Sequence, residues 1–258
     1  MGAVAVHHVV TGPADAPVVV LSNSLGATHT MWDAQLEALS ARFRVVRYDT
    51  RGHGESPVPQ GPYDIDDLAD DVIALLDHLG VDRAHFVGLS LGGMTGMRLA
   101  ARNPERLERL VVLCTGAHLE PSAAWHERAA TVRAQGTEAV ATAVVQRWFT
   151  TPYLAAHPER RAAAEAVVAA TPAEGYAGCC EVIAAMDLRT DLPRITAPTL
   201  AIAGADDPAT PPPHLAAIAD AVIDGRLLVV EHSAHLANAE QPETITPAII
   251  EHLDGGRR

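Results

Sequence analysis

An apolar run, His85–Leu89, ends in Gly88-Leu89-Ser90-Leu91-Gly92 and is followed at once by the helical run Met94–Ala101. A G-x-S-x-G between a strand and a helix leaves the chain few options. The serine must occupy a sharp, strained turn, and the residues two before and two after it must be small so that strand and helix can approach. Such a turn presents the Ser90 hydroxyl, points the Leu91 N–H at the same spot, and adds the partial positive charge of a helix N-terminus. The pattern predicts a nucleophilic serine. A phosphate loop is the rival reading, but neither G-x-x-x-x-G-K-[ST] nor G-x-G-x-x-G occurs.

The surroundings suit such a turn. Apolar or alternating runs predict strands at Val4–Val10, Pro17–Leu21, Arg44–Tyr48, His85–Leu89, Leu110–Leu113, Thr199–Ala203 and Leu227–Glu231. The third to sixth are rich in Val, Leu or Ile without clean alternation, as parallel strands covered on both faces are. Ile65–Leu79 carries an apolar stripe at helical spacing and is stopped by Gly80. The sum is an α/β sandwich around a mostly parallel sheet flanked by helices. Residues 120–185 interrupt it with Ala-, Glu- and Arg-rich helical sequence. They predict a helical cap inserted into a core of residues 1–119 and 186–258, and they gather the scarce aromatics Trp125, Trp148, Phe149 and Tyr153. A TIM barrel would need eight uninterrupted βα units.

A serine needs a base, and the base needs an orienting acid. His235 follows the last predicted strand, where a loop can reach the carboxyl edge of the sheet; His232, closer to the strand, competes with it. Asp206 and Asp207 follow the strand Thr199–Ala203. Asp207 precedes Pro208, which restricts it to extended backbone, so Asp207 is the expected acid and Asp206 the alternative. The loop Ser22–Gly26 offers Leu25 N–H as a second oxyanion donor beside Leu91 N–H. The turn Asp49–Ser56 reads as structural, with Arg51 either pairing buried carboxylates or bracing the oxyanion loop. His53 has no companions at a metal-ligand spacing, so no metal is expected there.

Composition bounds the partners. Nineteen Lys and Arg against thirty-two Asp and Glu give a formal charge of -13, a surface that repels nucleic-acid backbones and anionic lipid. No run approaches a membrane span, and Met1–Val10 lacks the features of a secretory signal. Cys114, Cys179 and Cys180 make a poor disulfide framework. A cytoplasmic home is the expectation; oligomeric state is left open.

The Ser90 unit, the Asp207-Pro208 loop, His235 and Asp49-x-Arg-Gly-His-Gly-x-Ser56 resemble the α/β-hydrolase superfamily. More narrowly, Leu21-Ser-Asn-Ser-Leu-Gly26, Met31-Trp-Asp33, Val132-Arg-Ala-Gln-Gly136, Arg147-Trp-Phe-Thr-Thr-Pro152, Met186-Asp-Leu-Arg189, Ala209-Thr-Pro-Pro212 and Ala234-His-Leu-Ala-Asn238 resemble the 3-oxoadipate enol-lactonases. That resemblance spans nearly the whole chain. It implies a small anionic lactone substrate and ring opening through an acyl-enzyme, with no cofactor. It also implies a strand before Val4, so the expected sheet is short of one N-terminal edge strand, remote from the serine. The substrate carboxylate needs a cation. Arg128, Arg133, Arg147, Arg160 and Arg161 stand in the cap, and Arg133, inside one of the shared strings, is the first choice. Trp125 and Trp148 are expected to cover the ring, and Trp32 to be either pocket wall or core. A carboxylesterase or cofactor-free perhydrolase of the same fold is the alternative, and a non-catalytic receptor the alternative of another class. A haloalkane dehalogenase would want Asp at position 90.

Overall fold

The computed structural model describes residues 2–255. Seven strands form one sheet: β1 (His8–Thr11), β2 (Val18–Ser22), β3 (Arg44–Tyr48), β4 (Ala84–Leu89), β5 (Leu107–Leu113), β6 (Thr199–Gly204) and β7 (Gly225–Val230). Their order is β1-β3-β2-β4-β5-β6-β7, with β1 antiparallel to β3 and every other pair parallel. The expected α/β architecture is therefore present. β4 is buried along its whole length, which is why its sequence lacks alternation. β7 is an edge strand, and Leu227 and Val229 on it remain exposed.

Helices cover the sheet: α1 (Asp33–Ser40), α2 (Ile65–His78) and α3 (Leu91–Arg102) before β5, and α9 (Pro212–Ala221), α10 (Ala237–Glu240) and α11 (Pro242–Leu253) after β6. α2 starts on a capping box in which Asp64 and Asp67 satisfy each other's backbone N–H, and its buried face runs through Leu68, Val72, Leu75 and Leu76. Between β5 and β6 lie five helices: α4 (Ser122–Gln135), α5 (Glu138–Trp148), α6 (Thr151–Ala156), α7 (Pro158–Ala170) and α8 (Ala173–Ala185). They bury Val132, Val145, Val168 and Cys179 among themselves and against the core. The start of α8 touches the core through bare backbone: a Cβ on Gly175 would lie 2.1 Å from Gly52 O.

The first strand is shorter than Val4–Val10. Its ladder with β3 covers only His8 to Thr11, and the preceding backbone is held by side chains instead. Val4 N–H donates to Asp71 Oδ1 (2.7 Å) and His7 N–H to Ser56 Oγ (2.9 Å). All three cysteines are free and buried. Among the described residues no helix is long and apolar enough to cross a membrane.

The chain places β1 and β3 on one side of β2, then returns to place β4 on the other, with Ser22 in register with Gly88. The strand order reverses between β2 and β4, and open α/β sheets leave a crevice beyond the carboxyl ends at such a point. The loop after β2 and the turn after β4 both open into it.

Candidate active site

Ser90 caps α3 with φ 57° and ψ -115°, a left-handed conformation that a side chain adopts at a cost of about 1–3 kcal/mol. The turn is held from both sides. Ser90 N–H donates to Leu113 O (2.9 Å), Thr115 Oγ1 donates to Ser90 O (2.7 Å), and Gly92 N–H donates to Asn23 O (2.9 Å). Gly88 and Gly92 are small by necessity. A Cβ on Gly88 would meet Gly92 O at 2.2 Å, and one on Gly92 would meet Ser22 O at 2.3 Å.

His235 and Asp207 come together as expected. His235 Nδ1 lies 2.8 Å from Asp207 Oδ2, and both side chains are buried. Donation by Nδ1–H fixes the tautomer and leaves Nε2 free to accept a proton. Burial disfavours the Asp207 charge, but the neighbouring His235, its hydrogen bond, the Thr210 hydroxyl (2.7 Å) and Ala209 N–H (2.8 Å) outweigh it and hold the carboxyl below its usual range. The competitors lie outside: Asp206 and His232 are exposed, and neither lines the cavity that holds Ser90.

The β2 loop is braced in detail. Ser24 N–H reaches Met31 Sδ (3.3 Å), Gly26 N–H donates to His53 Nε2 (3.0 Å), and Asn23 Nδ2 donates to Tyr48 O (2.7 Å). Among the described residues, Leu25 N–H and Leu91 N–H have no protein acceptor, although their neighbours do. Two unengaged donors beside a serine can receive developing negative charge on oxygen. Burial lowers the His53 pKa, and its Nδ1–H donates to Arg51 O (3.1 Å), so the neutral ring serves as an acceptor for Gly26. Bracing thus falls to His53. Arg51 pairs with Asp71, with both contacts at 2.7 Å.

Ser90 and His235 line one cavity of about 220 Å³ with Ser24, Leu25, Thr210 and, from the insert, Trp125, Arg128, Arg147, Trp148 and Tyr176. Trp125 and Trp148 line it, and Arg133 and Trp32 do not. Arg133 projects from the other side of α4 into paired ion bridges with Glu174 (2.8 Å) and Glu181 (2.5 Å), so its charge is spent outside the cavity. Trp32 is fully buried behind the β2 loop, its Nε1–H donating to Asn23 Oδ1 (3.1 Å), and belongs to the core. The cations that do face the cavity are Arg128, whose guanidinium lies 4.6 Å over the Trp125 ring, and Arg147. Among the described residues neither pairs with a carboxylate, and burial together with the nearby Arg128 lowers the Arg147 pKa. Thr210 lies inside the shared string Ala209-Thr-Pro-Pro212, but neither it nor Tyr176 stands out in the sequence as a site residue.

A larger groove of about 770 Å³ between α1 and α11 holds no serine–histidine pair. Among the described residues, one trio, His7, His29 and Asp49, has the proximity to hold a metal ion. Its carboxylate already accepts from His29 N–H (2.8 Å), His29 Nδ1 (3.0 Å), Glu55 N–H (3.1 Å) and His7 Nδ1 (3.2 Å), and none of the three lines the Ser90 cavity.

The family model for the alpha/beta hydrolase fold matches residues 17–242. The chain is 42% identical to 3-oxoadipate enol-lactonase 2 of Acinetobacter baylyi, over 95% of this chain and 92% of that protein. It is 33% identical to the putative carbamate hydrolase RutD of Stutzerimonas stutzeri, over 93% and 92%. Among solved structures, the enol-lactonase from Burkholderia xenovorans LB400 superposes with a TM-score of 0.94 at 42% identity, covering 96% of each chain.

Proposed function

The chain belongs to the α/β-hydrolase fold family, and from that premise we propose that it is a serine hydrolase opening 3-oxoadipate enol-lactone to 3-oxoadipate. His235 Nε2 takes the Ser90 proton while Asp207 steadies the Nδ1–H side. Ser90 Oγ attacks the ring carbonyl, and the oxyanion accepts from Leu25 and Leu91 N–H. The ring C–O bond breaks, and the enolate leaves and takes a proton. Water, activated by His235, then releases the acyl group. The freed enol relaxes to a ketone, which makes opening effectively one-way.

The observation that carries the substrate class is the Arg128–Arg147 pair, cations without carboxylate partners in the same cavity as Ser90. In a chain of charge -13, two half-buried cations lining one cavity repel each other, and an anion that joins them relieves that repulsion. The relatives include a carbamate hydrolase, but a carbamate carries its charge on the group under attack. Here the arginines belong to the insert and the N–H pair to the core. That arrangement suits a carbonyl with a separate carboxylate arm.

The test is a comparison of kcat/KM on 3-oxoadipate enol-lactone, neutral five-membered lactones, aryl esters and carbamate. The lactone bearing the carboxylate should lead, and faster turnover of the aryl ester or of carbamate refutes the assignment. Ser90→Ala should abolish turnover. Arg128→Ala and Arg147→Ala should each raise KM for the anionic lactone by about tenfold, in line with a charge-assisted hydrogen bond of about 1.5–3 kcal/mol, and leave a neutral lactone little changed. Equal losses on both substrates would remove the pair as the anion site.

A further inference from the structure

A buried carboxylate outside the Ser90 cavity ties the insert to the loop that bears the base. Glu240, on α10, accepts from Ala234 N–H through Oε2 (2.5 Å), and from Thr150 N–H (2.9 Å) and Thr150 Oγ1 (2.8 Å) through Oε1. Ala234 directly precedes His235. On the other flank, Leu236 N–H donates to Trp148 O (2.8 Å). The residues on either side of His235 are therefore both fastened to residues 148–150, where α5 gives way to α6. The side chains of Arg147 and Trp148, at the end of the same helix, line the cavity.

We propose that Glu240 is a positioning residue for His235, coupling the seat of the base to the insert residues that meet the substrate; this rests on the serine-hydrolase reading. The chemistry of the side chain supports it. A carboxylate accepts on both oxygens, whereas an amide presents one acceptor and one donor. Burying a charge is costly, and a glutamine would close the same gap more cheaply but would set its NH2 against either Ala234 N–H or Thr150. Burial pushes the Glu240 carboxyl above its ordinary value, with Asp206 adding to that and the donors from Ala234 and Thr150 opposing it. With its ring held by Asp207 and both neighbours held by the junction, the His235 imidazole is fixed at three points. Loosening two of them should reach the proton-transfer geometry before it reaches substrate binding, because misplacement of about 1 Å is enough to slow a reaction a hundredfold.

The experiment compares wild type, Glu240→Gln, Thr150→Val and Thr150→Ser by three measurements. The first is the rate of Ser90 phosphonylation by a fluorophosphonate, read by intact mass with Ser90→Ala as the blank. The second is the low-field proton resonance of the His235–Asp207 hydrogen bond, assigned by its loss in His235→Asn. The third is the thermal midpoint. Glu240→Gln should phosphonylate at least tenfold more slowly, and its resonance should shift or broaden in protein that is still folded. Thr150→Val should fall about threefold, and Thr150→Ser should return to within twofold of wild type. A wild-type rate and an unmoved resonance in Glu240→Gln overturn the proposal. Should Glu240→Gln not fold, an unmoved rate and resonance in Thr150→Val overturn it instead. Wild-type protein that refuses the probe counts against the serine-hydrolase reading, and the resonance still decides the role of Glu240.

Discussion

Thr210 makes the shortest hydrogen bond to Asp207, its hydroxyl donating to Oδ2 at 2.7 Å, while His235 Nδ1 lies 2.8 Å from the same oxygen. A buried carboxylate that loses such a donor forfeits about 1.5–3 kcal/mol of charge stabilisation. Thr210→Val should therefore lower kcat about tenfold, with Thr210→Ser close to wild type, as steady-state kinetics at constant pH will show; an unchanged kcat in the valine variant counts against a role for this bond. At this scale the sequence reads unevenly. Ser90, Asp207 and His235 stand at strand ends, and their place follows from strand and turn chemistry that is local in the chain. Arg133 and Arg128 lie five positions apart on α4, roughly 140° around a helix of 3.6 residues per turn, so only one of them can face the cavity. The resemblance drew attention to the right helix. The choice of face depends on Glu174 and Glu181, more than forty positions away along the chain, which capture Arg133.

Two elements meet on bare backbone where α8 begins. Gly175 and Gly52 put backbone against backbone, and a Cβ on Gly175 would lie 2.1 Å from Gly52 O with no flexible side chain to yield. Overpacking of this kind costs about 1–3 kcal/mol. Gly175→Ala should lower the thermal midpoint by roughly 2–12 °C, at about 2–4 °C per kcal/mol for a chain of this size. A midpoint within a degree of wild type would show that the insert shifts freely. The helical insert itself was legible, because its Ala-, Glu- and Arg-rich stretches exclude strands. The length of β1 was not, since Val4–Val10 alternates like a strand while its partners on Asp71 and Ser56 are set by the fold. The strand order around β2 was equally hidden, because pairing partners are tens of residues apart and no local pattern names them.

Across the whole molecule, two buried histidines set a pH limit. Burial, with Arg109 nearby, pushes His85 down to about 4, and burial likewise pushes His252 to about 4. Arg226, which donates to Nδ1, adds to burial in favouring the neutral His252 ring, while Pro198 O, which accepts from Nε2–H, opposes it only in part. The unfolded chain protonates these rings near pH 6.5, whereas the folded chain resists until about pH 4. In that window the unfolded state binds more protons, so stability falls as pH falls. Between pH 7 and pH 5 the free energy of unfolding should drop by roughly 2–4 kcal/mol for the pair. Urea titrations at both pH values measure the drop, and His85→Gln with His252→Gln should flatten it; an equal slope in the double variant would assign the loss to other groups.

The arginine pair inside a chain of charge -13 also bears on what happens after the chemistry. On the proposed reaction, hydrolysis of a lactone that already carries one carboxylate yields a dianion. Arg128 and Arg147 would then hold that dianion more strongly than the reactant, while the acidic exterior would favour its escape once it clears the mouth. Departure would be a contest between an inner well and an outer slope, both weakened by salt, so that under the proposed reading ionic strength should act on the exit of the acid as well as on the arrival of the lactone.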